Sequence, residues 1–230
     1  LTQMIVSQGQ LLVEGEKTVL DMRTIVGRPP WYTPSFSGRI TYLEVNPVWR
    51  IPPNILREEV VPAILRDPGY ATRKQITLYG RDGNGYREMS PQNINWKRIK
   101  PQAFPYLAVQ KAGPGNPLGR VKFMFPNQNY IYLHDSPSKH LFRREPRMFS
   151  HGCVRIEKPY ALAEHLLQAD RGWTKKRFAA VVQSGKTGQI PLREPVAVHV
   201  VYFTAWVDEE GVLHTRPDVY GSDEALDIAL

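Results

Sequence analysis

Glycine and proline divide this chain into short extended pieces, and that limits its fold more than any other feature. Seventeen glycines and 20 prolines are spread through 230 residues. Segments 10–13, 18–22 and 39–45 are rich in β-branched residues and are bounded by Gly27-Arg28-Pro29-Pro30 and Ser37-Gly38, the pattern of strands joined by turns. Segments 76–79, 106–111, 121–125, 130–133, 195–207 and 212–215 read the same way, and Glu209-Glu210-Gly211 makes the last two a hairpin. Helical spacing is confined to a few places. Leu162, Ala163, Leu166 and Leu167 fit a 3.6-residue period over 159–168. Thr174 is placed to cap a helix running to Gln183, with Gly185 just past its end, and Ser222 begins a further helix towards Leu230. The expected fold is mainly β with some α, in the α+β class.

The stretch 53–105 has a different character. Asn54 is placed to cap a short helix carrying Ile55, Leu56, Val60, Ala63 and Ile64 on its apolar side, stopped by Asp67-Pro68-Gly69. A turn spans 81–85, and Ser90-Pro91 opens a second short helix with proline at its first position. This stretch predicts a mixed insertion at 53–105 within one domain covering 1–230.

Composition narrows the possible functions. A hydrophobic fraction of 42% supports a core without covalent staples, and no run of eighteen apolar residues marks a membrane span. With one cysteine, no intramolecular disulfide forms. The formal charge is +8, but the basic clusters (Lys97-Arg98-Ile99-Lys100, Arg143-Arg144, Lys175-Lys176-Arg177) are short and lie in no nucleic-acid motif, so they read as a solvated basic face. The chain opens on Leu1, as expected of a mature region or an excised domain.

The single cysteine has informative neighbours. Tyr132-Leu133-His134-Asp135-Ser136 is followed by a polar loop and then Ser150-His151-Gly152-Cys153-Val154-Arg155. A free thiol has a pKa of about 8.5 and is mostly protonated at neutral pH, so a nucleophilic cysteine needs a base or a positive charge beside it. His134 and His151 both qualify as the base, and Arg155 supplies fixed charge. Gly152 allows a sharp turn and close approach of a substrate backbone. The amides of Gly152 and Cys153 are the expected donors to an oxyanion. The same residues are also compatible with an ordinary turn over a buried cysteine. A zinc site would need paired ligand spacing that is absent here.

His134, a gap of fifteen residues, and Ser150-His151-Gly152-Cys153-Val154-Arg155 together resemble the signature of the L,D-transpeptidase catalytic domain. Ile25-Val26-Gly27-Arg28-Pro29, Thr33-Pro34-Ser35-Phe36-Ser37-Gly38, Asn46-Pro47-Val48-Trp49, Asn116-Pro117-Leu118-Gly119 and Ala205-Trp206-Val207-Asp208 are similar to the large proteobacterial branch of that family. The resemblance implies a β-sandwich-like catalytic fold in which 53–105 is a capping subdomain. It implies a periplasmic enzyme of cell-wall biogenesis and cell shape that needs no metal or cofactor. Its partners would be peptidoglycan stem peptides as donor and acceptor, with carbapenem β-lactams as covalent inhibitors, and neither nucleic acid nor a membrane span.

Roles follow from the same resemblance. Cys153 is the nucleophile, attacking the bond between meso-diaminopimelate and terminal D-Ala and passing the acyl group to an amine in a 3→3 crosslink. His134 is the general base, oriented by the Asp135 carbonyl. His151 orients substrate or assists the oxyanion site, Ser150 fixes the loop, and Arg155 binds a stem-peptide carboxylate or steadies the loop. Tyr132, two positions before the base, shares its strand face, and Trp49 stands at the mouth of the site. An L,D-carboxypeptidase or endopeptidase would use the same Cys153 and His134, and a non-catalytic peptidoglycan-binding module would use neither.

Overall fold

The computed structural model describes residues 2–6, 9–14, 17–208 and 210–223. Its strands are β1 (Thr2–Val6), β2 (Gly9–Glu14), β3 (Lys17–Gly27), β4 (Phe36–Val45), β5 (Trp49–Arg50), β6 (Ile76–Asp82), β7 (Gly85–Met89), β8 (Leu107–Gln110), β9 (Val121–Met124), β10 (Leu133–His134), β11 (Met148–Ser150), β12 (Val154–Ile156), β13 (Gly188–Val201), β14 (Ala205–Val207) and β15 (Leu213–Thr215). Nine of them form one sheet in the order β11-β3-β12-β10-β9-β4-β13-β1-β2, and β2 also pairs with β3. The sandwich-like expectation therefore resolves into one continuous sheet whose ladder returns to its start, leaving β11 as an added edge on β3. The fold is mixed α+β and mostly strand, as the punctuation predicts.

Alternation gives this sheet its core. Ile40, Leu43 and Val45 of β4, Val121 and Phe123 of β9, Leu133 of β10, and Val154 and Ile156 of β12 are buried together. The helices α4 (Pro159–Leu167) and α5 (Lys175–Gln183) add Leu162, Leu166, Phe178 and Val182 to the same core. The Thr174 side chain accepts a hydrogen bond from the Arg177 N–H, and Gly185 has φ +68°, so both ends of α5 are as the sequence implies. No helix among the described residues is long and apolar enough to cross a membrane.

A second, smaller unit has its own four-stranded sheet, β5-β8-β6-β7, and its own core around Leu56, Val61, Ile64 and Leu78. Its main helix begins as α1 (Pro53–Ile55), widens into a π-turn at Leu56–Val60 and ends as α2 (Val61–Arg66); α3 (Tyr70–Arg73) follows. Pro62 has no N–H for the carbonyl four residues earlier, whereas Val61 donates to Leu56 five residues back. Pro53 takes the first helical position, so Pro52 is the cap and Asn54 lies inside the first turn, one correction to the sequence reading. The helix expected at Ser90-Pro91 is instead a series of three-residue 3₁₀ turns at Pro91–Asn93, Trp96–Arg98 and Pro101–Ala103.

Two other expectations change, and one falls largely outside the described residues. The strand expected at 130–133 starts only at Leu133. Asn127 binds the Phe125 and Ile131 carbonyls at 2.7 Å each and accepts from the Ile131 N–H, and Tyr130 has φ +54°, so this stretch is held as a loop. The long strand begins at Gly188, because a register shift between Pro191 and Val196 absorbs both prolines, and it breaks after Val201. The helix expected from Ser222 lies, beyond residue 223, outside the described residues.

Candidate active site

Four side chains stand in register across adjacent strands. Glu44 on β4 pairs with Lys122 on β9, Lys122 with His134 on β10, and His134 with Arg155 on β12. Directly opposed residues project from the same face of a sheet, so one row carries a carboxylate, an ammonium, an imidazole and a guanidinium. Lys122 Nζ is 3.6 Å from Glu44 Oε2 and 4.0 Å from the Tyr132 ring centroid. The Tyr132 ring lies 5.7 Å from that of His134, as the shared-face reading implies, although only His134 is in the strand.

His134 is 4% exposed, and its Nδ1 lies 2.5 Å from the Asp135 carbonyl oxygen. A carbonyl only accepts, so Nδ1 carries the proton and Nε2 presents its lone pair. Burial, then the charge of Arg155, then that of Lys122, pull the imidazole down to about 3 against the opposing pull of the Asp135 carbonyl. The imidazole is therefore uncharged at physiological pH. The Asp135 carboxylate does not reach it. One oxygen takes the Ser136 N–H and Lys139 Nζ at 2.7 Å each, and the other takes the Arg120 N–H at 2.9 Å. The Asp135 side chain itself is buried. Gly119 makes room for it, because a Cβ at that residue (φ +63°) would come within 2.3 Å of Asp135 Oδ2.

Cys153 follows β11 in the turn that leads into β12. Burial raises its thiol above the usual range, while the Tyr132 N–H and hydroxyl, Lys122 and Arg155 pull it back towards the thiolate. Gly152 has φ +107°, a conformation that favours glycine. Its N–H donates to Ser150 Oγ at 3.2 Å, and its carbonyl accepts from Thr33 Oγ1 at 2.8 Å. Ser150 thus fixes the loop, and the Gly152 amide expected at the oxyanion is already engaged.

His151 is held elsewhere. Its Nε2 is 3.1 Å from Glu59 Oε1 and 3.3 Å from Arg28 Nη2, and its ring packs 4.5 Å from that of Trp31. Burial lowers its pKa despite the Glu59 carboxylate. Arg155 donates to the Phe149 carbonyl at 3.4 Å, and its buried Nε has no partner among the described residues.

One cleft of about 1190 Å³ between the two units joins these groups. Cys153, His134, His151, Ser150, Tyr132 and Arg155 line it from the large sheet, with Trp49, Glu59 and Val60 from the other side. Trp49 also packs against the core of the small unit. Arg28, Glu44, Glu59, Thr33 and Lys122 had no role in the sequence reading. The detectable signal was Lys122, a lone charge between Val121 and Phe123 in an otherwise apolar strand.

The family model described as the L,D-transpeptidase catalytic domain matches residues 3–190. A Haemophilus influenzae protein whose name provisionally makes it an L,D-transpeptidase is 37% identical over 211 residues, covering 92% of this chain and 42% of that protein. The chain thus spans about two fifths of the length of the curated relative it matches. Two solved structures overlap it loosely. An L,D-transpeptidase from Mycobacterium smegmatis has a TM-score of 0.35 at 12% identity, covering 86% of this chain and 57% of that one. L,D-transpeptidase 1 of Mycobacterium tuberculosis has a TM-score of 0.30 at 10% identity, covering 87% and 60%. The match of the family model to most of its length shows that this chain belongs to the L,D-transpeptidase family.

Proposed function

We propose that this chain is the catalytic domain of a periplasmic peptidoglycan L,D-transpeptidase that forms 3→3 crosslinks through a thioester on Cys153. The observation that supports the proposal is that a thiol and an imidazole kept neutral, its Nδ1 facing the Asp135 carbonyl and Nε2 left with its lone pair, line one cleft. His134 Nε2 takes the thiol proton as sulfur attacks the carbonyl of the diaminopimelate–D-Ala bond. The proton passes to the departing D-Ala amine, leaving the thioester. An acceptor amine then loses its proton to His134 and displaces the thiolate.

With the Gly152 N–H engaged by Ser150, the Cys153 amide is the backbone donor assigned to the oxyanion. His134 is preferred to His151 as base because the His151 Nε2 is held between Glu59 and Arg28. Arg155, with its spare buried Nε, is assigned to a stem-peptide carboxylate. The unit containing 53–105 closes the cleft as a cap, with Trp49 at its mouth.

The test is covalent labelling by a carbapenem, read by intact-protein mass spectrometry. One equivalent adds to the wild type, Cys153→Ala takes none, and His134→Gln slows the addition by about 10²–10⁴-fold. An adduct that persists in Cys153→Ala would remove Cys153 as the nucleophile.

A further inference from the structure

We propose that Lys122 is a positioning residue for the base: standing next to His134 in the cross-strand row, opposite Arg155, it keeps the imidazole uncharged, and Glu44 sets how much of its charge the imidazole feels. The inference rests on the reading of His134 as base. Its physical foundation is the register. Lys122 and Arg155 are the direct neighbours of His134 on either side, and Glu44 is the direct neighbour of Lys122. The Lys122 and Glu44 side chains are only 15% and 18% exposed, so solvent screens them weakly. The other groups facing the imidazole are the Tyr132 ring, the carbonyls of Asp135 and Leu118, and Cys153 in the same cleft. The Asp135 carboxylate is engaged by Lys139 and the Arg120 N–H, so Glu44 is the one carboxylate in the row.

The arrangement suits a proton that must move twice. A cation near both partners opposes the imidazolium and favours the thiolate, so transfer from sulfur to nitrogen changes little in net cost. The imidazolium, once formed between Lys122 and Arg155, is a strong acid and readily passes its proton to the leaving amine. The resting base also stays unprotonated well below the usual histidine range, so the acid limb of acylation falls below about pH 6.5.

The experiment is an NMR titration of the His134 ring protons in parallel with the pH dependence of Cys153 acylation by a carbapenem. It uses the wild type, Lys122→Met, Lys122→Met with Glu44→Gln, and Lys122→Arg. Removing the pair together takes away both charges and leaves no unpaired carboxylate, which keeps the double variant foldable. The His134 midpoint and the acid limb should both rise by about one pH unit in the double variant. They should rise further in Lys122→Met, where Glu44 faces the row without its cation, and stay near wild type in Lys122→Arg. A purely structural role would not produce that order. A folded double variant whose His134 midpoint matches the wild type overturns the proposal. If no variant is acylated at any pH, the transpeptidase reading fails, and the NMR midpoints still decide the role of Lys122.

Discussion

Burial and two neighbouring cations set the protonation of His134, and this links the site to folding. The folded imidazole titrates at about 3, against an ordinary value of 6.5. Between those values the unfolded chain binds more protons than the native one. The His134 contribution to stability is therefore complete above about pH 6.5 and is lost as pH falls towards 3. Wild type should lose more stability than His134→Gln between about pH 7.5 and about pH 4.5 in urea titrations. Equal losses would mean that the imidazole is not held neutral. That Cys153, His134 and His151 meet at one cleft was legible in the sequence through the resemblance of their motif to a known family. Lys122 and Glu44 were not, because a cross-strand neighbour depends on register, which distant turns decide. The engagement of the Gly152 amide was equally hidden, since it depends on where the Ser150 hydroxyl points.

At the scale of elements, one asparagine ties two of them together. Asn46, buried with φ +46°, donates from Nδ2 to the Val182 and Lys186 carbonyls at 3.0 and 3.1 Å, closing the C-terminal end of α5 against β4. Asn46→Ala removes those bonds and puts alanine, without the polar side chain that lets asparagine tolerate a left-handed backbone, at φ +46°, which should cost about 2–3 kcal/mol in urea denaturation. A loss below about 0.5 kcal/mol would show that the bonds are dispensable.

The π-turn at Leu56–Val60 does a different job. Leu56 and Val60 point into the small core, while Glu59 reaches across the cleft to Arg28 at 2.8 Å and to His151. An exposed pair adds at most about 1 kcal/mol, so Glu59→Gln should barely move the denaturation midpoint. It should nevertheless speed amide exchange in α1, the π-turn and α2, because it weakens their ionic contact with Arg28 and His151. Unchanged exchange would mean that Glu59 does not restrain them. The sequence showed this helix but misplaced its start, because Pro53 rather than Asn54 begins it. It hid β7, whose first four residues, Gly85 to Glu88, are exposed, so no apolar alternation marks the strand.

For the whole molecule, the strand-rich class was legible because Gly and Pro punctuation and β-branched segments report local structure. The closure of the large sheet was not, because it depends on the β2–β3 pairing, and no pattern within either strand specifies a partner. The resulting architecture sets two independently cored units on either side of one cleft. Cys153 and His134 open into it from the large sheet, and Trp49 and Glu59 face them from the small unit. A formal charge of +8 gives the surface a general attraction for anionic ligands.

The most direct test is mass spectrometry of the products formed from a disaccharide-tetrapeptide. The account predicts a dimer lighter than two substrates by one alanine, formed by the wild type and absent with Cys153→Ala. A tripeptide monomer with no dimer would contradict crosslinking and make water the acceptor at the thioester. No product at all, from protein that is folded, would contradict the catalytic reading itself.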